Sequence, residues 1–599
     1  MLMRNVVITF AIAAVSACGG SPSGKTADGN PPSGSSNPVG TGTGSKPPAN
    51  DSSHSGAVAS PSVMMPMPAV VGATPITPPV ATVPPVATTP PVATTPPVAT
   101  TPPVATTPPV ATTPPVATTP PVATTPPVAT TPPVATTPPV ATTPAARVNF
   151  QYLPVLADAD GNPNDANATY NLTVDNNVPV NVVTPTGSWI TPMMRFNSLQ
   201  LPPVIKAKRG TNITVNVQNN LAEVTTVHWH GFKIPAIQDG GPTTPILPGG
   251  SHSYTFQLVQ AAAPLWFHPH ADGTTATQVY KGLAGGFVVT DDVSDSLEVA
   301  KKMPSGNYDI AMLVQDRSFA ADNGTGIRPL VYNVGMMGMT GMLGDRILVN
   351  GAEQPTLKVE TRQYKFSLFN GSNARIYDFA LSNGGTFKVV GTDGGLLPAP
   401  VTVDHLVLAP GERSEIVLDF RANGVNDSLA LINRTTANRE VVRFDVATSA
   451  TDDVTLYTSL PATADINQRL TAADATRTRN FVLSMAGMAG FVINGKRFDI
   501  NRVDELVAAG ATEIWNISNT SGMAHPFHAH AIQWQILDRN NVPASGIDLG
   551  WKDTVLVQPG QSVRFIGRFD PVINTGLYMY HCHILEHEEA GMMGTFKIQ

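Results

Sequence analysis

The 599-residue chain is poor in cysteine, in charge and in aromatic side chains. Cys18 and Cys582 are its two cysteines, so no internal disulfide framework holds the fold together. Charged residues make up 13% of the chain and the formal net charge is -7, which argues against a nucleic-acid partner. The apolar run Val6–Val15 is too short to span a bilayer, which takes roughly 20 residues. Helical periodicity is scarce as well; Val503–Ala509 is the stretch that reads as one short helix.

What the chain has in excess is proline, most of it near the N-terminus. Residues 1–17, with Arg4 ahead of the apolar run, read as a secretory signal. Val15-Ser16-Ala17-Cys18 resembles a bacterial lipobox, which implies that Cys18 is lipidated. Gly19, where an aspartate would imply inner-membrane retention, implies an outer-membrane anchor on the periplasmic or surface side. Residues 18–77 are rich in Gly, Ser and Pro and predict a disordered linker. Residues 78–145 repeat Pro-Pro-Val-Ala-Thr-Thr, a composition that favours extended polyproline II. At about 3.1 Å per residue this tether would reach on the order of 200 Å.

From residue 146 the composition changes. Short Val/Ile/Thr/Phe-rich runs alternate with Gly-, Pro- and Asn-rich turns, as in Asn212–Val217 and in Val407–Val417 around Pro410-Gly411. The pattern predicts an all-β chain of three sandwiches of about 150 residues each. These are placed at 146–295, 296–450 and 479–599, with a connector at 451–478.

Ten of the 13 histidines fall in four clusters: His228 and His230; His268 and His270; His525, His528 and His530; and His581, His583 and His587. His54, His252 and His405 are isolated and read as ordinary solvated or packed side chains. In the last cluster Cys582, His587 and Met592 lie within eleven residues. Thiolate, imidazole and thioether form a soft donor set, and two histidines, a cysteine and a weak axial methionine make a blue-copper electron-transfer site. The second histidine has to come from one of the upstream clusters. On extended chain Cys582 faces one way and His581 and His583 the other, so one segment would serve two metal sites. A zinc site is the alternative, but zinc modules draw on several cysteines or on closely spaced histidines, and Cys582 is the only cysteine beyond the tether.

The four clusters, in this order, resemble those of the multicopper oxidases. Gly344–Gly351, Ile493-Asn494-Gly495 and Gly550–Val555 add a likeness to the bacterial three-domain copper-efflux (cuprous) and laccase-like branch. The resemblance covers about residues 147–599 and implies three cupredoxin-like Greek-key domains with four copper ions. By motif, the type 1 copper falls to His525, Cys582, His587 and Met592, and the type 2 copper to His228 and His528. One type 3 copper falls to His230, His268 and His583, and its partner to His270, His530 and His581. The cluster of three would then lie between the first and third domains. Asp239 matches an acidic position that would deliver protons to O₂, and Glu588, immediately after His587, is the second candidate. The implied reaction couples one-electron oxidation of a small reductant to four-electron reduction of O₂ to water, in a monomer.

The reductant is less legible. Met336, Met337, Met339, Met342 and Met523 could make a Cu(I) site, since thioethers favour cuprous ion. Ser521, however, stands where the efflux enzymes carry an aspartate. Phenols, Mn(II) and Fe(II) are the other candidate reductants. A copper-sequestering electron carrier without turnover would need the type 1 set alone.

Overall fold

The computed structural model describes residues 147–599 except 160, 163–165, 335–338, 438 and 488–489. Cys18, the signal, the linker and the repeat lie outside the described residues, as do His54, Met336 and Met337.

Two-residue alternation builds each sandwich. In strand Asn212–Asn219 the side chains of Ile213, Val215 and Val217 are buried while Asn212 and Asn216 face solvent. The first sandwich has a four-stranded sheet in the order Val204–Lys208, Gly285–Thr290, Ala263–His268, His228–His230. It packs on Asn167–Thr184, Asn212–Asn219 and Ser251–Gln257 through a core that includes Val215, Trp229, Tyr254, Phe267 and Phe287. These latter strands continue without a break into the second sandwich. One eleven-stranded sheet runs on through Ala352–Glu353, Arg346–Val349, Asp309–Arg317, Gln363–Asn370 and Arg413–Asp419 to Phe387–Thr392 and Gly395–Val403.

The other sheet of the second sandwich has six strands. It begins with Val148–Asn149, paired in parallel with Pro355 and Thr356. Val148–Asn149, expected in the first sandwich, thus adds an edge strand to the second; two residues carry no pattern that names their partner sheet. The connector also packs, placing Tyr457, Leu460, Ala464 and Ile466 against Leu297 and Val390.

The third sandwich sets a seven-stranded against a five-stranded sheet around Trp515, Phe527, Phe565, Tyr580 and Cys582. Val503–Ala509 is not a helix. Glu505–Val507 is a strand parallel to Phe596–Ile598, with Val507 buried and Leu506 exposed. Val503, Leu506 and Val507 mimic helical spacing, but the open edge of the C-terminal strand supplies the hydrogen bonds that decide the matter. The α-helices among the described residues are short and lie elsewhere: Thr275–Lys281, Asp292–Val299 and Leu585–Glu589.

Candidate metal centre

Strand Gly576–Cys582 runs antiparallel to His525–Ala529, with Phe527 opposite Cys582 and His528 opposite His581. The chain then turns into helix Leu585–Glu589, which brings His587 back over the cysteine. Cys582 Sγ lies 3.4 Å from His525 Nδ1 and 3.6 Å from His587 Nδ1. Met592 is fully buried beside them; its amide donates to the His587 carbonyl and its carbonyl accepts from Cys582 N–H. Both imidazoles therefore point Nδ1 inward. Outward, His525 Nε2 is 2.7 Å from Ser521 Oγ and His587 Nε2 is 3.2 Å from the Met339 carbonyl. Burial pushes the Cys582 thiol well up and holds His525 at about 3 and His587 at about 4. A buried thiol and two neutral imidazoles with facing lone pairs suit a soft cation that would take the thiol's proton's place.

On the other side of the same strand the remaining eight histidines meet. His228, His230, His268 and His270 come from the first sandwich, and His528, His530, His581 and His583 from the third. All are at most 1% exposed. His270 Nε2 and His530 Nε2 lie 3.1 and 3.3 Å from His581 Nε2. His230 Nδ1 is 3.3 Å from His268 Nε2, and the His583 ring lies 4.9 and 5.4 Å from these two rings. His230 stacks on His528 and His228 on His530. Burial, and then the neighbouring imidazoles, hold His228 and His230 well below their ordinary value, and burial does the same for His268 and His581.

The donor set fits metal. His228 Nε2, His528 Nε2 and both ring nitrogens of His583 are buried without a hydrogen-bond partner, an arrangement costly for a polar atom unless a cation fills it. At His228, His268 and His528 the outer nitrogen is satisfied, as metal-binding imidazoles require. His228 Nδ1 bonds to the Asp239 carbonyl at 2.9 Å, His268 Nδ1 to the Pro269 carbonyl at 2.8 Å and His528 Nδ1 to the Asp553 carbonyl at 2.9 Å.

Asp239 and Glu588 flank this centre. Asp239 Oδ2 accepts from His530 Nδ1 at 2.7 Å. Glu588 places Oε1 3.4 Å from His270 Nδ1 and Oε2 3.1 Å from His581 Nδ1. Burial raises both carboxyls well above the usual range. A third carboxylate, Asp553, was not singled out from sequence although it lies within Gly550–Val555; its Oδ1 is 3.0 Å from His230 Nε2. Of the methionines, Met339 and Met523 both pack against the core that contains Cys582 and Met592. Met342 is buried outside that core cluster. Isolated His405 pairs with Asp378, and neither it nor His252 approaches the centre's ligand groups.

Family models described as multicopper oxidase match residues 177–294, 307–451 and 461–599. A multicopper oxidase (mco) of Staphylococcus aureus is 35% identical over 410 residues, 67% of this chain and 83% of that protein. A laccase of Bacillus subtilis is 31% identical over 475 residues, 68% and 90% of the two chains. Among solved structures, the McoA multicopper oxidase of Aquifex aeolicus superposes with a TM-score of 0.67 at 33% identity, over 76% of this chain and all (100%) of its own.

Proposed function

Because this chain belongs to the multicopper oxidase family, with three matching domains and a relative 35% identical, we propose that it oxidises Cu(I) or phenols and serves in copper tolerance. It is a copper-dependent oxidoreductase with O₂ as acceptor, and its family holds one type 1, one type 2 and two type 3 coppers. When bound, the type 1 copper supplies one-electron oxidation and the other three supply the four-electron reduction of O₂ to two waters.

The observation that carries the reading is the single strand end His581-Cys582-His583. Its sulfur faces His525 and His587, while its two imidazoles reach different groups of the eight-histidine centre. In this reading His525 and His587 would hold type 1 copper through Nδ1, together with Cys582 Sγ and Met592. His228 and His528 offer their unpaired Nε2 atoms to the type 2 copper. His230, His268 and His583 form one type 3 set and His270, His530 and His581 the other. The Cys582 backbone joins sulfur to both flanking imidazoles and gives electrons a covalent route. Asp239 orients His530 and, like Glu588, keeps a proton at the centre because burial disfavours its charged form.

Met339 and Met523, on the core beside Cys582, support Cu(I) as reductant. The laccase-like reading takes phenols, Mn(II) or Fe(II) instead, and the relative named laccase supports it. A non-enzymatic copper carrier would have no use for eight further buried histidines. Lipidation at Cys18 would place the oxidase at the outer membrane on the long tether. Oxygen uptake by copper-loaded protein decides the reductant. Fast uptake with Cu(I), with 2,6-dimethoxyphenol turned over only when Cu(II) is added, supports the cuprous oxidase. Strong phenol turnover without added Cu(II) refutes it in favour of the laccase reading.

A further inference from the structure

The second sandwich supplies no histidine to the centre, yet it forms part of its wall. Between strands His405–Leu408 and Arg413–Asp419 the chain turns through Pro410 and Gly411. Gly411 has φ +82°, and a Cβ there would lie 2.8 Å from the His583 ring, so the turn fits against that imidazole only as glycine. Two residues on, Arg413 is 1% exposed and uses all its N–H groups. Nε donates to the Pro264 carbonyl of the first sandwich at 2.9 Å. Nη1 donates to the Gly411 carbonyl at 2.9 Å and Nη2 to the Asp393 carbonyl at 3.1 Å. The same two nitrogens clamp Asp553 of the third sandwich, at 2.7 Å to Oδ1 and 2.6 Å to Oδ2.

Asp553 is thereby fixed in place. Oδ2 also accepts from Gln533 Nε2 at 2.8 Å, and Oδ1 from Thr554 Oγ1 at 3.0 Å. Gly231, at φ +88°, closes the other side, for a Cβ there would lie 2.5 Å from Oδ2. Oδ1 also accepts from His230 Nε2 at 3.0 Å, a nitrogen that Thr554 Oγ1 approaches to 3.1 Å as well. A doubly clamped carboxylate can only accept, so the imidazole proton sits on Nε2 and the lone pair on Nδ1. That reverses the arrangement at His228, His268 and His528, whose Nδ1 atoms face backbone carbonyls and whose Nε2 atoms face inward. His230 Nδ1 is accordingly the nitrogen found 3.3 Å from His268 Nε2.

We infer that Asp553, clamped by Arg413, is a positioning residue that turns His230 to bind metal through Nδ1, and that this pair ties the ligand-free second sandwich to the centre. The inference rests on the ligand reading given above. Although His230, His528 and Asp553 could in principle hold an ion together, the Arg413 clamp and the Gln533 bond occupy the carboxylate, so Asp553 acts through the imidazole.

The test compares full-length Asp553→Asn, Asp553→Glu, Arg413→Lys and Glu415→Gln with the wild type after copper loading. Copper per chain, resistance to a chelator, the type 2 EPR signal and the blue thiolate-to-copper absorption are measured. Asp553→Asn is expected to keep the blue absorption, to hold the centre's copper roughly 10- to 100-fold more weakly and to alter the type 2 signal. Asp553→Glu restores part of the loss, and Arg413→Lys, which keeps the charge but not the fork, falls between. Glu415→Gln breaks a buried ion pair with Lys365 (3.2 Å) in the second sandwich without touching Arg413, Asp553 or a histidine, and is expected to lower Tm while leaving copper content and EPR unchanged. Wild-type copper retention and EPR in both Asp553→Asn and Arg413→Lys overturn the inference. So does parallel loss of blue absorption and centre copper in the Asp553 and Glu415 variants, which marks a purely structural role. A wild type that binds copper only at the blue site overturns the underlying ligand reading, and this inference with it.

Discussion

Mild acid should unfold the copper-free protein. Ten histidines are buried, and in the unfolded chain each would take a proton near its ordinary value of about 6.5. In the folded chain burial holds His268 and His525 at about 3 and His581 and His587 at about 4. Burial, then repulsion from neighbouring imidazoles, holds His228, His230, His270, His528, His530 and His583 well below the ordinary value. These are bases whose folded values are depressed, so their contribution to stability is whole above about 6.5 and is lost as pH falls toward the folded values. At about pH 6 each unfolded imidazole gains about 0.8 kcal/mol from proton uptake, and at about pH 5 about 2 kcal/mol. Ten of them give about 8 and about 20 kcal/mol, against a typical total stability of about 5–15 kcal/mol. The copper-free fold should therefore fail between about pH 6 and about pH 5. Urea titrations from about pH 8 to about pH 5.5, read by emission of buried Trp229, Trp266, Trp515 and Trp534, measure this directly. Copper-loaded protein should resist, since metal binds only the folded ligand set. A urea midpoint that stays constant over that range without copper would refute the reasoning.

Cys582→Ser should abolish the blue absorption and lower the copper count by one while the type 2 EPR signal persists, because the eight-histidine centre does not use the sulfur. Asp239→Asn and Glu588→Gln should each lower kcat by roughly 10²- to 10⁴-fold with copper content and blue absorption kept; unchanged steady-state turnover would remove them from proton delivery. With burial raising both carboxyls, kcat should fall as pH rises through their raised values, and a rate that climbs with pH instead would contradict that role. Met523→Leu, a near-isosteric exchange, should slow Cu(I) oxidation several-fold and leave dimethoxyphenol turnover unchanged in oxygen-uptake assays; equal losses on both would demote Met523 to packing.

The ligand donors were legible because the chemistry is concentrated. Cysteine, histidine and methionine spaced at two, five and ten residues around one strand end need only the alternation of extended chain to be sorted onto two sides. Strand-rich sandwiches were legible from the same alternation, as at Ile213, Val215 and Val217. Val503–Ala509 was misread because three apolar residues fit a helix as well as an edge strand, and only the neighbouring C-terminal strand tells them apart. The short helix that carries His587 and Glu588 was likewise silent, being too brief to show a period.

By itself, then, the sequence determined which atoms can hold copper and that they sit on β-structure, since donor type and local periodicity are properties of neighbouring residues. Tertiary structure decided which nitrogen faces inward at His228, His230, His528 and His587, for there it depends on a carbonyl or carboxylate brought from elsewhere in the chain. It sets Met339 over His587 and Asp553 over His230. It also gave the second sandwich its part, because Arg413 meets Asp553 only when three sandwiches close on one another, 140 residues of chain lying between the two.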